Sequence, residues 1–588
     1  MNIAEHYVNL YKYYEDIQLG EQINISVEEL SHILHCTVRN SNIIRKKLEG
    51  AGWIVWSSGR GRGNCSKLRF MKDPSKLLIE QSKQTVKNGN IREARQLIDY
   101  YQKDFPNLET EFYTWLHSIF GYQSETVNEQ KVDVLRLAVQ IPPIASLDPV
   151  HIALRSECNI VKHVSETLVR YHAETETIEP NLAFYWERND EGTKWIFYLR
   201  KGVTFHNNKR FTAYDVEYTF NRFMKMDHPF HWLLQDMASI HVLGDYVIEI
   251  HLHEPNELFL HFLSDEHLSI VPYQDFEIRI NNILVGVGPF KLVRNDESMI
   301  VLEAYDAYYR ERPFLDRIEL WNMPKVPSSF QSNVMWGTNP FYTNQKQEQW
   351  NKQKRLESNV TYVSFNTNKN GVMQNKQFRR ILKKIINPVA MLRDLGKYRG
   401  EVANDFLRSS NVQEDLAVHD ELEKCQYNGE ILRLYTFQED DHVQDAMWIQ
   451  KQCAMYGIAI VISFLQANEL LHIPTIMEAD IIHDSATLDE NLELSYLHIL
   501  LDHNSFMKQH LAYHFQIEMK TALQEIFQTK EYPLRIQQLQ NLEAKLLEEI
   551  SFLPLYRNYM KVNNHPTVQN VSINAQGWID FYHIWFKN

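Results

Sequence analysis

Hydrophobic positions near the start of the chain follow the period of helices and then that of strands. Apolar side chains recur at helical spacing over residues 3–17, and "SVEELSHILHC" begins at Ser26 with the S-x-x-E pattern of a capped helix. A third helix, "TVRNSNIIRKKLEGAG", is predicted to start at Thr37 and to stop at Gly50 or Gly52. Two predicted strands, "WIVWS" and "CSKLRF", follow and are joined by a loop of glycine and arginine.

This order of elements, three helices followed by a hairpin, is typical of a winged helix-turn-helix. The segment from Arg39 to Lys76 carries ten Lys and Arg residues against two acids, although the whole chain has a net charge of -14. Arg and Asn match base edges in the major groove, and basic residues on a hairpin can neutralise phosphates. The sequence therefore predicts a DNA-binding surface made of Thr37, Arg39, Asn40, Asn42, Arg45, Lys46, Arg60, Arg62 and Lys67.

Two other interpretations of this region compete with DNA binding. A glycine-rich loop can cradle the phosphates of a nucleotide, but the pattern G-x-x-x-x-G-K-[ST] is absent, and "GRGRGN" joins two strands rather than a strand to a helix. A small helical domain with a solvated basic face is the second alternative. The agreement of helix order, hairpin and charge favours DNA binding over both.

Residues 75–120 show the pattern of two or three helices, interrupted at Asn88 to Asn90 and again at Pro106. The polar stretch "GYQSETVNEQK" after them indicates a boundary. We therefore expect a DNA-binding domain over residues 1–74, a helical connector over 75–130 and a large domain over 131–588. A homodimer contact in the connector stays an open alternative.

In the large domain, short strand patterns alternate with helical ones. "VLRLAVQ" reads as a buried strand, "ECNIVKHVSETLVRY" as a helix, "KWIFYLRKGVTF" as a pair of strands, and "TAYDVEYTFNRFMK" as a helix that begins at Thr212. The periodicity indicates α/β organisation and nothing more specific.

The sequence motifs of the large domain indicate its family more specifically than its hydrophobic periodicity does. "IEPNLAFYWERNDEGTKWIFYLRKGVTFHNNKRFTAYDVEYTFNRF" resembles the signature of the family 5 extracellular solute-binding proteins, the peptide and nickel binders of ABC importers. "GVGPFKLVRNDESMIVLEAYDAYYRERPFLDRIELW" and "FLPLYRNYMKV" follow in the family's order, so the resemblance covers about 450 residues. It implies a type II periplasmic-binding-protein-like fold, in which two α/β lobes enclose a solute.

A winged helix ahead of such a domain resembles the SgrR family of transcription regulators, and "RKKLEGAGWIVWSSGRGRGNCSKLRF" extends the resemblance into the head. The resemblance implies a cytoplasmic regulator that binds double-stranded promoter DNA and senses a small solute, which is a sugar, a sugar phosphate or peptide-like. Two alternatives stay open. One is the solute-binding component of an ABC importer whose head does not bind DNA, and the other is an enzyme that acts on the bound ligand.

Candidate solute ligands are few in the sequence. The aromatic-aspartate motif of oligopeptide binders is missing from "MEADIIHDSATLDENLELSYLHIL", where Asp480, His483 and Asp484 could face the cleft or lie in a surface loop. Trp448, in "AMWIQKQCAMYG", could stack on a solute or fill a core. These four residues are the predicted solute-binding set.

Signals for other chemistry are weak. The patterns G-x-S-x-G and H-E-x-x-H are absent, so we predict no catalytic residues and no enzyme activity. His251 and His253 share one face of a strand but lack a third ligand at diagnostic spacing, so we predict neither a metal nor another cofactor. The five cysteines form no C-x-x-C pair, and the sequence shows no signal peptide or apolar span, which together favour a cytoplasmic protein without a membrane partner.

Overall fold

The computed structural model describes residues 3–14, 17–59, 65–139, 141, 144, 146–273, 283–323, 334–337, 350–396, 399–407, 425 and 427–587. These residues form a head, residues 3–117, and a large domain of two lobes. The first lobe comprises residues 121–323 and 565–587, and the second lobe comprises residues 334–564.

The first half of the head has the elements of a winged helix-turn-helix. They are α1 (Ile3–Tyr13), β1 (Gln22–Ile25), α2 (Val27–Ile33), α3 (Val38–Gly50), β2 (Ile54–Ser57) and β3 (Ser66–Phe70). Both predicted helix caps are present, because the hydroxyls of Ser26 and Thr37 accept hydrogen bonds from the backbone N–H groups of Glu29 and Asn40, at 3.0 and 3.3 Å. The strands form one antiparallel sheet in the order β1-β3-β2. The predicted winged helix is confirmed, with β1 as a strand that the hydrophobic pattern did not show.

Three helices complete the head: α4 (Pro74–Lys87), α5 (Ile91–Tyr101) and α6 (Leu108–His117). They lie where the sequence predicted the connector, and their interruptions fall at the predicted positions. Their apolar faces join those of α1 to α3 in one hydrophobic cluster, in which Tyr7, Ile98 and Phe112 are almost completely buried. The connector helices are therefore part of the head and do not form a separate linker between two domains.

The first lobe contains a five-stranded sheet in the order β12-β13-β14-β5-β4 and a four-stranded sheet in the order β10-β11-β9-β8. In the five-stranded sheet β14 and β5 are parallel, and the other pairs are antiparallel. The strands are β4 (Gly121–Val127), β5 (Gln130–Val139), β6 (Val169–His172), β7 (Thr177–Pro180), β8 (Ala183–Arg188), β9 (Lys194–Leu199), β10 (Met237–Gly244), β11 (Val247–Leu252), β12 (Phe290–Asn295), β13 (Met299–Ala304) and β14 (Arg317–Asn322). The helices are α7 (Arg155–Val164), α8 (Ala213–Lys225) and α9 (Phe259–Phe262), with single 3-10 turns at Pro149–His151, His231–Leu233 and Glu266–Leu268.

The second lobe is built on an eight-stranded sheet whose main path is β15-β22-β17-β21-β19-β20, and β16 and β18 also pair with β22. Its strands are β15 (Val334–Gly337), β16 (Asn351–Leu356), β17 (Val360–Phe365), β18 (Arg399–Val402), β19 (Leu432–Phe437), β20 (Ile460–Leu465), β21 (Ile481–Ala486) and β22 (Phe552–Asn564). Its helices are α10 (Lys376–Ile385), α11 (Pro388–Leu395), α12 (Asp440–Ala454), α13 (Ala467–Leu470), α14 (Ile473–Glu478), α15 (Leu492–Leu501), α16 (Phe506–His510), α17 (Tyr513–Gln528) and α18 (Tyr532–Glu548), with a 3-10 turn at Val372–Gln374. The chain then returns to the first lobe through β23 (Val568–Gln569) and β24 (Trp585–Phe586).

The two lobes are in contact along one side. Phe262 of the first lobe and Phe527 of α17 pack edge to face, with ring centroids 5.6 Å apart. Trp195 of β9 and Leu497 of α15 belong to the same hydrophobic cluster. Helices α15, α17 and α18 thus pack on the first lobe, and a cleft remains open beside them.

Three sequence predictions in the large domain were wrong in extent. The helix predicted to run through Tyr171 ends at Val164, because the carbonyl of Val164 accepts a hydrogen bond from the N–H of Gly288 and Ser165 is already extended. "KWIFYLRKGVTF" provides only β9, since the chain turns at Gly202, where φ is +81°. The polar stretch predicted as a boundary is β4, which pairs with β5 along its whole length.

Candidate functional site

The exposed face of α3 carries the predicted base-reading residues. Ser41, Ile44 and Leu48 are buried toward the head, so the residues between them face outward. Arg39, Asn40 and Lys46 are exposed. Thr37 is exposed as well, but its hydroxyl caps the helix by accepting from the Asn40 N–H, so it acts on the start of α3.

Two of the predicted DNA-binding residues are engaged within the head. The Asn42 side-chain amide donates a hydrogen bond to the Val38 carbonyl at 3.0 Å, one turn back along the helix. The Arg45 guanidinium lies 5.0 Å from the centre of the Trp56 ring and 3.4 Å from a carboxylate oxygen of Glu49. Arg45 therefore ties α3 to the wing sheet.

The wing, which consists of β2, β3 and the segment that joins them, carries basic side chains beside α3. Lys67 on β3 is exposed, between Asn24 of β1 and Ser57 of β2 in register. Arg60 and Arg62 lie outside the described residues. Arg69, two positions after Lys67 on the same strand, is also exposed, and sequence reasoning missed it, although alternation along a strand places both residues on one face.

The second candidate site is the cleft between the lobes, a cavity of about 480 Å³. Its lining combines residues of α7, β21 and α15 with residues 264–269 (the 260s turn). The charged lining residues are Arg155, Lys162, Glu166, Arg170, Asp265, Glu266, Asp484, Asp489, Glu490 and Asp502, together with His267 and His498. Seven carboxylates thus face the cavity against three Lys and Arg side chains.

Of the four predicted solute ligands, Asp484 alone lines this cavity. It sits on β21 opposite Tyr362 of β17, and burial raises the pKa of its carboxyl to about 6. His483, the residue before it, lies on the opposite face of the sheet because side chains alternate along a strand. There His483 is fully buried, with Nε2 3.3 Å from an Asp445 oxygen and Nδ1 3.1 Å from the Thr436 hydroxyl.

The other two predicted ligands also lie away from the cavity lining. Asp480 accepts a hydrogen bond from the backbone N–H of Arg433 at 2.9 Å and pairs with Lys369 at 2.7 Å, so it links the start of β19 to the loop after β17. Trp448 packs in the core of that lobe, and its indole N–H donates to Asp394 at 3.0 Å. The prediction that Trp448, Asp480 and His483 face the cleft is therefore wrong, because contacts within the second lobe hold all three away from the cavity lining.

An ion pair joins the lobes across the cleft. The Lys162 ammonium on α7 contacts the carboxylate of Asp489, which precedes α15. Glu490, the next residue, accepts a hydrogen bond from the Ala575 N–H at 2.6 Å. Burial and the neighbouring charge of Asp489 raise the pKa of Glu490 to about 8.

A chain of acids and histidines forms one wall of the cavity. Asp265 contacts Nδ1 of His267 at 2.6 Å and Nε2 of His498 at 2.7 Å. On its other side, His498 contacts Asp502 through Nδ1 at 2.9 Å. Burial alone lowers the pKa of His498, but the carboxylates of Asp502 and Asp265 raise it well above its usual value. Asp265 and His498 are 233 positions apart, so no sequence pattern could have joined them.

Comparison with known proteins supplies the family. Residues 2–118 match the model described as "Sugar transport-related sRNA regulator N-term", and residues 177–503 match "Bacterial extracellular solute-binding proteins, family 5 Middle". The HTH-type transcriptional regulator SgrR of Photorhabdus laumondii is 20% identical over 586 residues, which cover 100% of this chain and 98% of that protein. This chain belongs to the SgrR family.

A second relative of this SgrR-family regulator is the uncharacterized protein YhjP of Bacillus subtilis, 36% identical over 592 residues that span 100% of both chains. The periplasmic binding protein DppA of Helicobacter pylori, solved in complex with the peptide STSA, has a TM-score of 0.65. It is 20% identical and covers 77% of this chain and 98% of its own, which confirms the predicted two-lobed fold. None of the helices in the described residues is long and apolar enough to cross a membrane.

Proposed function

We propose that this transcription regulator is cytoplasmic, that it binds double-stranded promoter DNA through α3 and the wing, and that it senses a small solute in the cleft between its lobes. The observation that carries the proposal is the outward face of α3. Arg39, Asn40 and Lys46 stand exposed on one helix, beside a three-stranded wing sheet that presents Lys67. A helix with such a face fits the major groove while basic side chains of the wing meet phosphates.

The cleft supports the sensing part of the proposal. Its volume of about 480 Å³ suits a sugar, a sugar phosphate or a short peptide. Even with Glu490 protonated and His498 positively charged at neutral pH, six acidic side chains of the lining face four positively charged ones. This excess favours a solute with an amino group over a phosphate ester, because like charges repel in a partly desolvated cavity.

The contact between head and first lobe suggests how a bound solute could influence DNA binding. Met299, Val301 and Trp321 of the first lobe belong to the same hydrophobic cluster as helices α4 to α6. The head is then expected to move with the first lobe when the second lobe changes its position. A solute shifts the DNA-binding equilibrium only by binding one lobe arrangement better than the other.

The DNA-binding part is tested by fluorescence anisotropy with a labelled duplex from upstream of the protein's own gene, against a scrambled duplex. The wild-type protein should prefer the first duplex. The double variant Arg39→Ala, Lys46→Ala should lose most of that affinity, whereas Lys520→Ala, Lys545→Ala, which removes two exposed charges from the second lobe, should keep it.

Equal binding of wild-type protein to both duplexes would favour the alternative of an importer component with a head that does not bind DNA. The enzyme alternative has its own test. A captured solute recovered intact after incubation would oppose it, and turnover of that solute would support it.

A further inference from the structure

Asp265, His267 and His498 form a compact group of potential metal ligands in the wall of the cleft. One ligand atom from each residue lies within 4.8 Å of the other two. The side chains of Asp265 and His267 are 3% and 8% exposed, and that of His498 is 19% exposed. All three line the cavity, so the group is buried on the protein side and accessible from the cleft.

Each histidine in the group is oriented by a hydrogen bond from its other ring nitrogen. Nδ1 of His498 contacts the Asp502 carboxylate at 2.9 Å, and Asp502 in turn accepts a hydrogen bond from the Trp232 indole at 2.7 Å. Nε2 of His267 contacts the Ile152 carbonyl at 3.2 Å. A carboxylate or carbonyl behind each imidazole is the usual arrangement for histidines that bind metals, because it fixes the ring and its tautomer.

We propose that Asp265, His267 and His498 bind one divalent transition-metal ion, with zinc as the best match, and that a further coordination position opens into the cleft. Two imidazoles and one carboxylate suit Zn²⁺, which is borderline between hard and soft metal ions. Three protein ligands with one open position define a zinc site that can accept an exogenous ligand. An ion there would also link the 260s turn of the first lobe to α15 of the second.

The three ligand atoms, now within 4.8 Å of one another, would draw together around the ion. Metal-ligand bonds of about 2.0 to 2.1 Å in a tetrahedron place neighbouring ligand atoms about 3.3 Å apart. At present Nδ1 of His267 lies 2.6 Å from Oδ1 of Asp265, and Nε2 of His498 lies 2.7 Å from Oδ2 of the same carboxylate. The ion would take the place of the protons in these two contacts, with the carboxylate bound through one oxygen or through both.

A second group of possible ligands, Glu439, Asp441 and His442, is less suitable. Glu439 is exposed, and the three residues are neighbours at the start of a single helix. Nε2 of His442 contacts the Ser485 hydroxyl at 3.4 Å, rather than the carboxylate or carbonyl that supports each histidine of the cleft group.

The test uses the full-length protein, stripped of metal with EDTA, freed of the chelator and titrated with ZnCl₂ by calorimetry. One Zn²⁺ should bind per chain. The double variant His267→Ala, His498→Ala should lose this binding, and the control His251→Ala, which removes a half-buried histidine paired with Glu249 outside the cleft, should keep it. Asp502→Asn should weaken binding about 10- to 100-fold, since it removes the support of His498 without removing a ligand.

A double variant that folds, by circular dichroism, and still binds one Zn²⁺ would overturn the proposal, as would a wild-type chain that binds none. Co²⁺ on the unmutated protein gives a measurement independent of any variant. Intense visible absorption, typical of tetrahedral coordination, is expected, whereas a faint octahedral spectrum would contradict the proposed geometry. DNA binding enters neither readout, so the result is independent of the regulator proposal.

Discussion

The Arg294 guanidinium in the first lobe donates a hydrogen bond to the carbonyl oxygen of Gly89 in the head, with Nη2 and the oxygen 2.9 Å apart. Gly89 sits between α4 and α5 with φ at +82°. A Cβ at this position would lie 2.9 Å from Cζ of Arg294 and 3.1 Å from Sδ of Met299. A side chain at residue 89 would therefore displace the guanidinium from the carbonyl that it binds.

We expect Gly89→Ala to weaken the docking of the head on the first lobe. Gly20→Ala is the matched control, since Gly20 has φ at +83° and no heavy atom lies within 4 Å of the place that a Cβ would take there. Both substitutions place alanine in the left-handed region, at about 1 to 2 kcal/mol. Gly89→Ala should lose a further 1.5 to 3 kcal/mol or so with the hydrogen bond to the charged Arg294.

The measurement is thermal unfolding of both variants, combined with limited proteolysis of the segment between α6 and β4. Gly89→Ala should melt at a lower temperature than Gly20→Ala and be cleaved faster at that segment. Equal melting temperatures and equal cleavage would show that the Arg294 contact contributes nothing to docking.

The head could be predicted well because its local signals are strong. Ser26 and Thr37 mark the starts of their helices through caps that depend only on residues three positions away. Strand β1 was missed because "QINI" is four residues long and is defined by its pairing with β3, which comes more than 40 residues later. A pattern confined to neighbouring residues cannot contain that pairing.

The cleft could not be predicted to the same degree. His483 and Asp484 are adjacent in sequence, yet His483 is buried inside the second lobe and Asp484 lines the cavity. Which face of β21 meets the cleft depends on how the sheet packs against the first lobe. The group of Asp265, His267 and His498 depends likewise on the contact between α15 and the 260s turn.

Salt dependence should distinguish the wing from α3. Changing Arg60 and Arg62 to alanine is predicted to weaken binding to specific and scrambled duplexes alike. It should also reduce the log-log salt slope by about 0.9 for each phosphate contact that is lost. Anisotropy titrations over a series of salt concentrations measure both effects, with Lys520→Ala, Lys545→Ala as the charge control. An unchanged slope in the Arg60, Arg62 variant would contradict the wing as a phosphate-binding element.

Asn40 and Asn42 should differ in their effect on sequence preference. The amide of Asn42 is occupied by the Val38 carbonyl, whereas Asn40 is exposed on the same helix. Asn40→Ala should therefore change the preferred base at one position, with a loss of about 1 to 3 kcal/mol on the best site, and Asn42→Ala should leave the preference largely as it was. Binding selections from a randomised duplex measure this. The same loss on every sequence with Asn40→Ala would show that Asn40 does not read bases.

Glu490 should make the stability of the protein depend on pH. The folded protein raises the pKa of this carboxyl from 4.5 to about 8, through burial and the charge of Asp489, with Lys162 acting in the opposite direction. Between these two values the folded state holds a proton that the unfolded state has released. The contribution of Glu490 is therefore fully present below about pH 4.5 and is lost progressively as the pH rises toward about 8.

The slope for one proton cannot exceed about 1.4 kcal/mol per pH unit. Glu490→Gln keeps the acceptor for the Ala575 N–H but cannot ionise, so its melting temperature should fall less than that of the wild type across this range. Glu478→Gln is the control, because Glu478 is an exposed acid paired with Arg433 in the same lobe, and its pH profile should follow the wild type. Parallel profiles for Glu490→Gln and the wild type would mean that the carboxyl of Glu490 ionises with the same pKa in the folded and unfolded chains.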